Sequence, residues 1–366
     1  MARAACRLLA TAALAAVIAC GRTAPAPVAL EHEAYLWQRA WTGAVSASAA
    51  AATPAVGGLR VLTAEVGRDG AVAWPDVDAR ALVDGGRAVT AVIRIDGSRP
   101  PEGHGLAPVL AKVAAWQAAG VEVAGIEIDH DCATAALPDY ARWLAATRPP
   151  APWRWSITAL PAWTSSPALI DVAAAVDELV VQVHAVRAPR LFARTEARRW
   201  LEDVAARVPA THLRVALPTY QVVVAGQRLA ADPHQVAALV RDLERRPIAN
   251  LDGVVWFRLP IADDPASWSA PTLDAVISGA PLIAKVEARL IARGPDQYDI
   301  ALVNTGTLDG AWPAIDLDGA LTAADLIAGY TAADARHWTP PRRALAAGTE
   351  TVVGWATGKD LRLDAR

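Results

Sequence analysis

Val121-Glu122-Val123-Ala124-Gly125-Ile126-Glu127-Ile128-Asp129-His130-Asp131 alternates apolar and acidic residues with period two. On a strand, this puts Ile126 and Ile128 on one face and Glu127, Asp129 and Asp131 on the other. Neighbours at i and i+2 lie roughly 6 to 7 Å apart on that face, close enough for their titrations to couple. Either this is an edge strand with a solvated acidic face, or the acids point into a shared interior.

Working outward, strands and helices alternate. Tyr35 to Trp41, Leu59 to Val66, Ala88 to Asp96, the acidic stretch, Trp155 to Trp163, Asp177 to Val186, His212 to Val222 and Leu251 to Pro260 read as eight strands. Between them, Leu106, Val109, Leu110, Val113 and Trp116 recur at helical spacing, with Gly120 where a C-cap belongs. Asp232 and Pro233 mark another helix start. Eight such units in about 250 residues predict a (β/α)8 TIM barrel, class α/β. A doubly wound open sheet is the alternative, but no Gly-rich phosphate loop follows the first strand. Past Gly279-Ala280-Pro281, short alternating runs at 285–292, 298–304 and 349–355 predict a small β-sandwich-like domain. The expected division is barrel 31–280 and β-rich domain 281–366.

In such a barrel, chemistry sits at the C-terminal strand ends. Those ends supply Arg39 and Trp41, Glu65, Arg94 and Asp96, Asp129 and Asp131, Trp163, Gln182 and His184, Thr219 and Tyr220, and Trp256 and Arg258. Left unpaired in a barrel, such groups would cost several kcal/mol each, so they either hold one another in salt bridges or serve a ligand. The chain has 14 Trp against 2 Phe and 5 Tyr. Indole faces stack on sugars as well as filling cores, and Trp41, Trp163 and Trp256 are singled out by their predicted strand-end positions. His184 with two Asp from one strand is an incomplete metal site, so neither metal nor other cofactor is expected.

A net charge of −3 with 20% charged residues argues against nucleic acid as a partner. At the N-terminus, Arg3 and Arg7 precede a largely apolar run from Leu8 to Ala19, too short to remain as a membrane span. The run ends Val17-Ile18-Ala19-Cys20-Gly21, which resembles the bacterial lipobox. That resemblance implies a signal peptide over 1–20, lipidation of Cys20 and a tether over 21–30. The protein is then expected on the bacterial cell envelope, membrane-anchored and facing the periplasm or cell surface. Cys6 would leave with the signal, so Cys132 has no cysteine to pair with and reads as a small buried residue.

Gly125 to Asp131 resembles the fourth-strand signature of chitinase-type glycoside hydrolases, D-G-x-D-x-D-x-E on a TIM barrel. Ala216 to Tyr220, A-L-P-T-Y, is similar to that family's seventh strand, and Gly253 to Trp256, G-V-V-W, to its eighth. The resemblance implies Asp131 as general acid, Asp129 as its partner, Glu127 as a deeper acid and Trp256 as the floor of a sugar subsite. Asp131 is one methylene shorter than the expected Glu, Ala124 replaces the first Asp, and Gln182-x-His184 stands where Met-x-Tyr belongs. More closely, the chain resembles a bacterial lipoprotein family classed as a domain of unknown function. The residues that carry this are Tyr35 to Trp41 (Y-L-W-Q-R-A-W), Ile128 to Thr134 (I-D-H-D-C-A-T) and Ser156 to Trp163 (S-I-T-A-L-P-A-W).

Two functions follow as expectations. One is carboxylate acid/base hydrolysis of a polysaccharide, with Asp131 and Asp129 catalytic and Glu127, Trp41, Arg94, Trp163, His184, Tyr220, Trp256 and Arg258 binding the carbohydrate. In that case carboxyls about 5 to 5.5 Å apart would make it retaining, and about 6.5 to 9.5 Å inverting. The other is a non-catalytic glycan-binding or envelope-assembly protein on a degenerate barrel.

Overall fold

The computed structural model describes residues 27–100, 106–150, 152–184 and 189–365. The expected signal peptide, Cys20 and most of the expected tether lie outside the described residues. Eight strands run parallel: β1 Glu31–Leu36, β2 Gly58–Val66, β3 Ala88–Ile95, β4 Val123–His130, β5 Arg154–Ala159, β6 Glu178–Gln182, β7 His212–Pro218 and β8 Leu251–Phe257. Each pairs with its sequence neighbours, and β1 pairs with both β2 and β8, closing the barrel. Eight helices alternate with the strands: α1 Gly43–Ala50, α2 Ala79–Gly85, α3 Ala107–Ala118, α4 Leu137–Thr147, α5 Leu169–Ala174, α6 Arg194–Arg207, α7 Pro233–Arg245 and α8 Ala270–Ser278.

The acidic strand is β4, fourth of eight and interior to the sheet. Its period-two pattern is realised as written: Ile126 and Ile128 are fully buried in the layer between strands and helices, whereas Glu127 and Asp129 face the barrel axis, where they meet Tyr35 and Thr158. Within the barrel the apolar filling is small, comprising Tyr35, Val92, Val180, Ala216 and Val255, with Trp37 and Phe257 packed on it.

Below that filling lies a layer of charge. Arg60 on β2 reaches Glu127 on β4, Glu178 on β6 (2.6 Å) and Glu33 on β1 (2.5 Å). Arg214 on β7 reaches Glu178 (2.8 Å) and Glu31 (2.5 Å). In TIM barrels alternate strands fill each layer. Here the even strands supply Arg60, Glu127 and Glu178, while β8 supplies Gly253. A Cβ on Gly253 would sit 2.6 Å from Arg214 Nη1 and 2.4 Å from the Glu31 carbonyl, so the missing side chain is the space the guanidinium occupies.

Several strands end earlier than their composition suggests. The first runs Glu31–Leu36 rather than to Trp41, and Thr42 then caps α1 by accepting from Val45 N at 3.3 Å. Pro161 opens a 3-10 turn over Pro161–Ser165, so β5 stops at Ala159. β8 stops at Phe257, leaving Arg258 in the following loop. After β7 the chain forms an antiparallel hairpin, Gln221–Val224 with Gln227–Ala230, instead of continuing the strand.

Beyond α8 come β9 Val286–Gly294, β10 Gln297–Asn304, β11 Ile315–Leu326, β12 His337–Thr339 and β13 Glu350–Ala365. They form an antiparallel sheet in the order β9-β10-β13-β11-β12, with Thr331–Ala332 at its far edge and a two-stranded ribbon, Gly310–Ala311 with Ala344–Leu345, beside it. Ile300, Leu302, Ile315, Leu317, Trp338 and Val353 are among its core residues. Asp309 joins this region to the barrel. It accepts from Ser269 Oγ (2.5 Å), Ser269 N (2.9 Å) and Ala347 N (3.2 Å), so it ties the N-cap of α8 to the β-rich region.

Candidate functional site

At the C-terminal end of β3 and β4 one guanidinium bridges the two acids singled out from sequence. Arg94 donates from Nη1 to Asp129 (2.8 Å) and from Nη2 to Asp131 (2.8 Å), while its Nε lies 3.6 Å from Asp96. Thr158 on β5 donates to the other oxygen of Asp129 at 2.7 Å. The two acids differ in depth. Asp129 is buried, and Asp131, just past the strand end, has a side chain 47% exposed. Burial raises the Asp129 carboxyl above its ordinary value, with Arg94 and Thr158 pulling the other way.

Across the mouth sits an aromatic cluster centred on Phe257 of β8. Its ring lies 5.6 Å from those of Tyr35, His184 and Tyr220 and 5.5 Å from that of Trp37. His184 is buried, its Nδ1 is 3.3 Å from the Ala216 carbonyl, and burial drops its pKa to about 4, leaving the ring neutral at neutral pH. Burial likewise raises the Tyr220 hydroxyl to about 12, so it stays protonated. Gln182 donates to the His184 carbonyl at 3.3 Å. Arg39 and Glu65 form a two-pronged pair on the rim, at 2.6 Å for each bond.

The structure therefore brings together Asp129, Asp131 and Arg94 on one side of the mouth and His184 and Tyr220 on the other. Glu127 is corrected: it lies in the barrel interior, fully buried, accepting from Tyr35 at 2.6 Å and paired with Arg60. Its two carboxylate oxygens are taken by Tyr35 and Arg60. Trp256 is also corrected. It points outward into the helix layer, fully buried and stacked on His32 at 5.7 Å, because alternation along β8 turns Val255 and Phe257 inward instead. Trp163, on the 3-10 turn after β5, is fully buried and donates to the Cys132 carbonyl at 2.9 Å, which clamps the loop after β4. Trp41 lies beyond β1, packed against the core between strands and helices. Arg258 pairs with Asp264 in its own loop. Cys132 is buried, and burial raises its thiol to about 12.

Trp37, Thr158 and Phe257 belong to the mouth and were not singled out from sequence. The signal was present for two of them. Tyr35 and Trp37 are two apart on the inward face of β1 and its extension, and Phe257 follows Gly253 and Val255 at the same period. Among the described residues, no three His, Cys, Asp or Glu side chains converge as a metal site. A depression of about 360 Å³ lined by Leu30, Glu31, His32, Pro54 and Gly58 lies at the opposite, N-terminal end of the barrel.

Residues 85–228 and 221–262, the stretch that holds β3 to β8, match the model of a domain of unknown function, DUF3142. No curated protein matches the chain in sequence. Among solved structures, the spore cortex-lytic enzyme SleL of Bacillus cereus is similar at 13% identity, over 69% of this chain and 75% of that one, with a TM-score of 0.50. A chitinase from Chromobacterium violaceum is similar at 13% identity, over 69% and 99% of the two chains, with a TM-score of 0.47. The likeness is one of fold: a closed parallel barrel with helices between its strands.

Proposed function

We propose that this glycoside-hydrolase-like barrel binds a glycan at its C-terminal mouth without cleaving it, on the surface of the bacterial envelope to which lipidated Cys20 would tether it. The lipid anchor rests on the basic, apolar and Val17-Ile18-Ala19-Cys20 pattern of the N-terminus. The observation that carries the binding reading is Arg94, seated between Asp129 and Asp131 at 2.8 Å from each. Glycosidic cleavage by two carboxyls needs one of them to deliver a proton to the leaving oxygen. The accessible acid here, Asp131, is instead bound to a guanidinium, and the acid that burial biases toward its proton, Asp129, lies behind it. The same groups suit binding: Asp131 and Arg94 offer an acceptor and a donor to sugar hydroxyls, and the aromatic cluster offers apolar faces to ring C–H groups.

One observation favours hydrolysis as a second reading. Burial raises the Asp129 carboxyl, which favours the protonated form that a general acid needs. Titration calorimetry and product analysis of the mature protein against chito-oligosaccharides and soluble peptidoglycan fragments separate the two. The expected result is binding without product, weakened about ten-fold, or about 1.4 kcal/mol, in Trp37→Ala. Product formation abolished by Asp131→Asn would establish hydrolysis instead. Failure of every glycan to bind would remove both readings.

A further inference from the structure

The outer face of the C-terminal sheet carries an exposed tryptophan in a polar setting. Trp355 stands near the middle of β13, the strand paired on both sides, and is 43% exposed. It lies directly opposite Asp299 on β10 and Asp325 on β11, and Asp299 lies opposite Ile291 on β9. Directly opposed residues share a face, so Ile291, Asp299, Trp355 and Asp325 form one row across four strands. Residues on the other face, including Ile300, Leu326 and Ala356, are buried in the region's own core, so the row is mounted on a rigid support. Arg293 pairs with Asp299 at 2.6 Å and is itself more than half exposed. Val352, on the same strand as Trp355, is also exposed, as is Ile327 just after β11.

We infer that this face is a second carbohydrate-binding site, taking a neutral sugar ring on the Trp355 indole with Asp325 and the Asp299–Arg293 pair on its hydroxyls. Neighbouring strands are about 4.8 Å apart, so the two carboxylates flank the indole roughly 10 Å from each other. An apolar ring face between hydrogen-bonding groups is the complement of a pyranose, whose C–H faces are apolar and whose edge bears hydroxyls. The two carboxylates beside the indole disfavour a phosphate, a nucleic acid or an anionic membrane surface. Val352 and Ile327 extend the apolar strip along the strands, which suits a chain of several sugars rather than one. The site lies outside the barrel and stands without the mouth reading.

The test is retention of the full mature protein on chitin, cellulose and purified peptidoglycan, comparing wild type with Trp355→Ala, Trp355→Phe, Asp325→Asn and the mouth variant Trp37→Ala. The expected result is that Trp355→Ala raises Kd at least ten-fold for one polymer at an unchanged melting temperature. Trp355→Phe should recover most of the loss, and Asp325→Asn should weaken binding several-fold. Loss in Trp355→Ala alone would support the sheet site and remove the mouth reading, whereas loss in both would support both sites. Loss in Trp37→Ala alone, or retention of the wild type on none of the polymers, would overturn the sheet site. So would sedimentation showing a dimer that Trp355→Ala disperses, because the row would then be an interface between copies.

Discussion

At the scale of single residues, the charge layer inside the barrel has a definite pH signature. Burial raises the Glu178 carboxyl, but Arg60 and Arg214 outweigh it and hold its pKa at about 2 against an ordinary 4.5. A depressed carboxyl contributes stability that is fully present above its unfolded value and disappears as pH falls through the folded one. The window is therefore about pH 4.5 down to about 2, and the contribution roughly 3 kcal/mol. Asp129 has the opposite sign: its raised carboxyl holds a proton longer when folded, so its contribution declines as pH rises through that value. Glu178→Gln should cost about 3–5 kcal/mol near neutrality, because it leaves two buried guanidiniums short of a counter-charge. Urea unfolding of both proteins from pH 6 to pH 2 should show the gap closing toward acid; a gap that stays constant would show that Glu178 is not held ionised by its arginines. The acids themselves were legible in the sequence, since alternation in β4 already placed Glu127, Asp129 and Asp131 on one face. Their division into a structural acid and two mouth acids was not, because it depends on Arg60 and Arg94 arriving from other strands.

At the scale of elements, Gly253 tests whether the charged layer dictates the strand packing. Gly253→Ala would place a methyl 2.4 Å from the Glu31 carbonyl and 2.6 Å from Arg214 Nη1. Neither can move freely, since one is ladder backbone and the other is ion-paired. Denaturant unfolding should register a loss of about 1–3 kcal/mol or more. Gly43→Ala, at a position with nothing within 4 Å of the added Cβ, should be neutral or slightly stabilising, by about 0.5 kcal/mol. Equal losses at the two sites would refute the packing argument. Helix starts were readable from local chemistry: Asp232 accepts from His234 N at 2.9 Å with Pro233 beginning α7, as Asp–Pro before an apolar period implies. Strand ends were less so. Trp41, Trp163 and Arg258 continue an apolar or alternating pattern past the point where Thr42, Pro161 and the loop after Phe257 end the ladder. In β8 a one-residue difference in which aromatic is counted exchanges Trp256 for Phe257, because the side-chain period is two.

At the scale of the whole molecule, barrel and C-terminal sheet are joined through Asp309, which takes three hydrogen bonds from Ser269 and Ala347. Asp309→Ala removes the N-cap tie of α8 and leaves these donors without that acceptor, at a cost of about 1–3 kcal/mol. Calorimetry should show one transition for the wild type and two for the variant, with the sheet region melting first; one undivided transition in the variant would show that the regions are coupled by other contacts. What the sequence by itself determined is the order of elements and the alternation of faces, hence a closed barrel followed by an antiparallel sheet, because periodicity, caps and turn residues act over a few neighbours. What only the tertiary structure decided is which polar groups meet. Arg94 lies 35 residues from Asp129, and Tyr35 lies 92 from Glu127. Whether a carboxylate faces a guanidinium, a hydroxyl or open solvent is set by barrel closure and strand register, which no local pattern encodes.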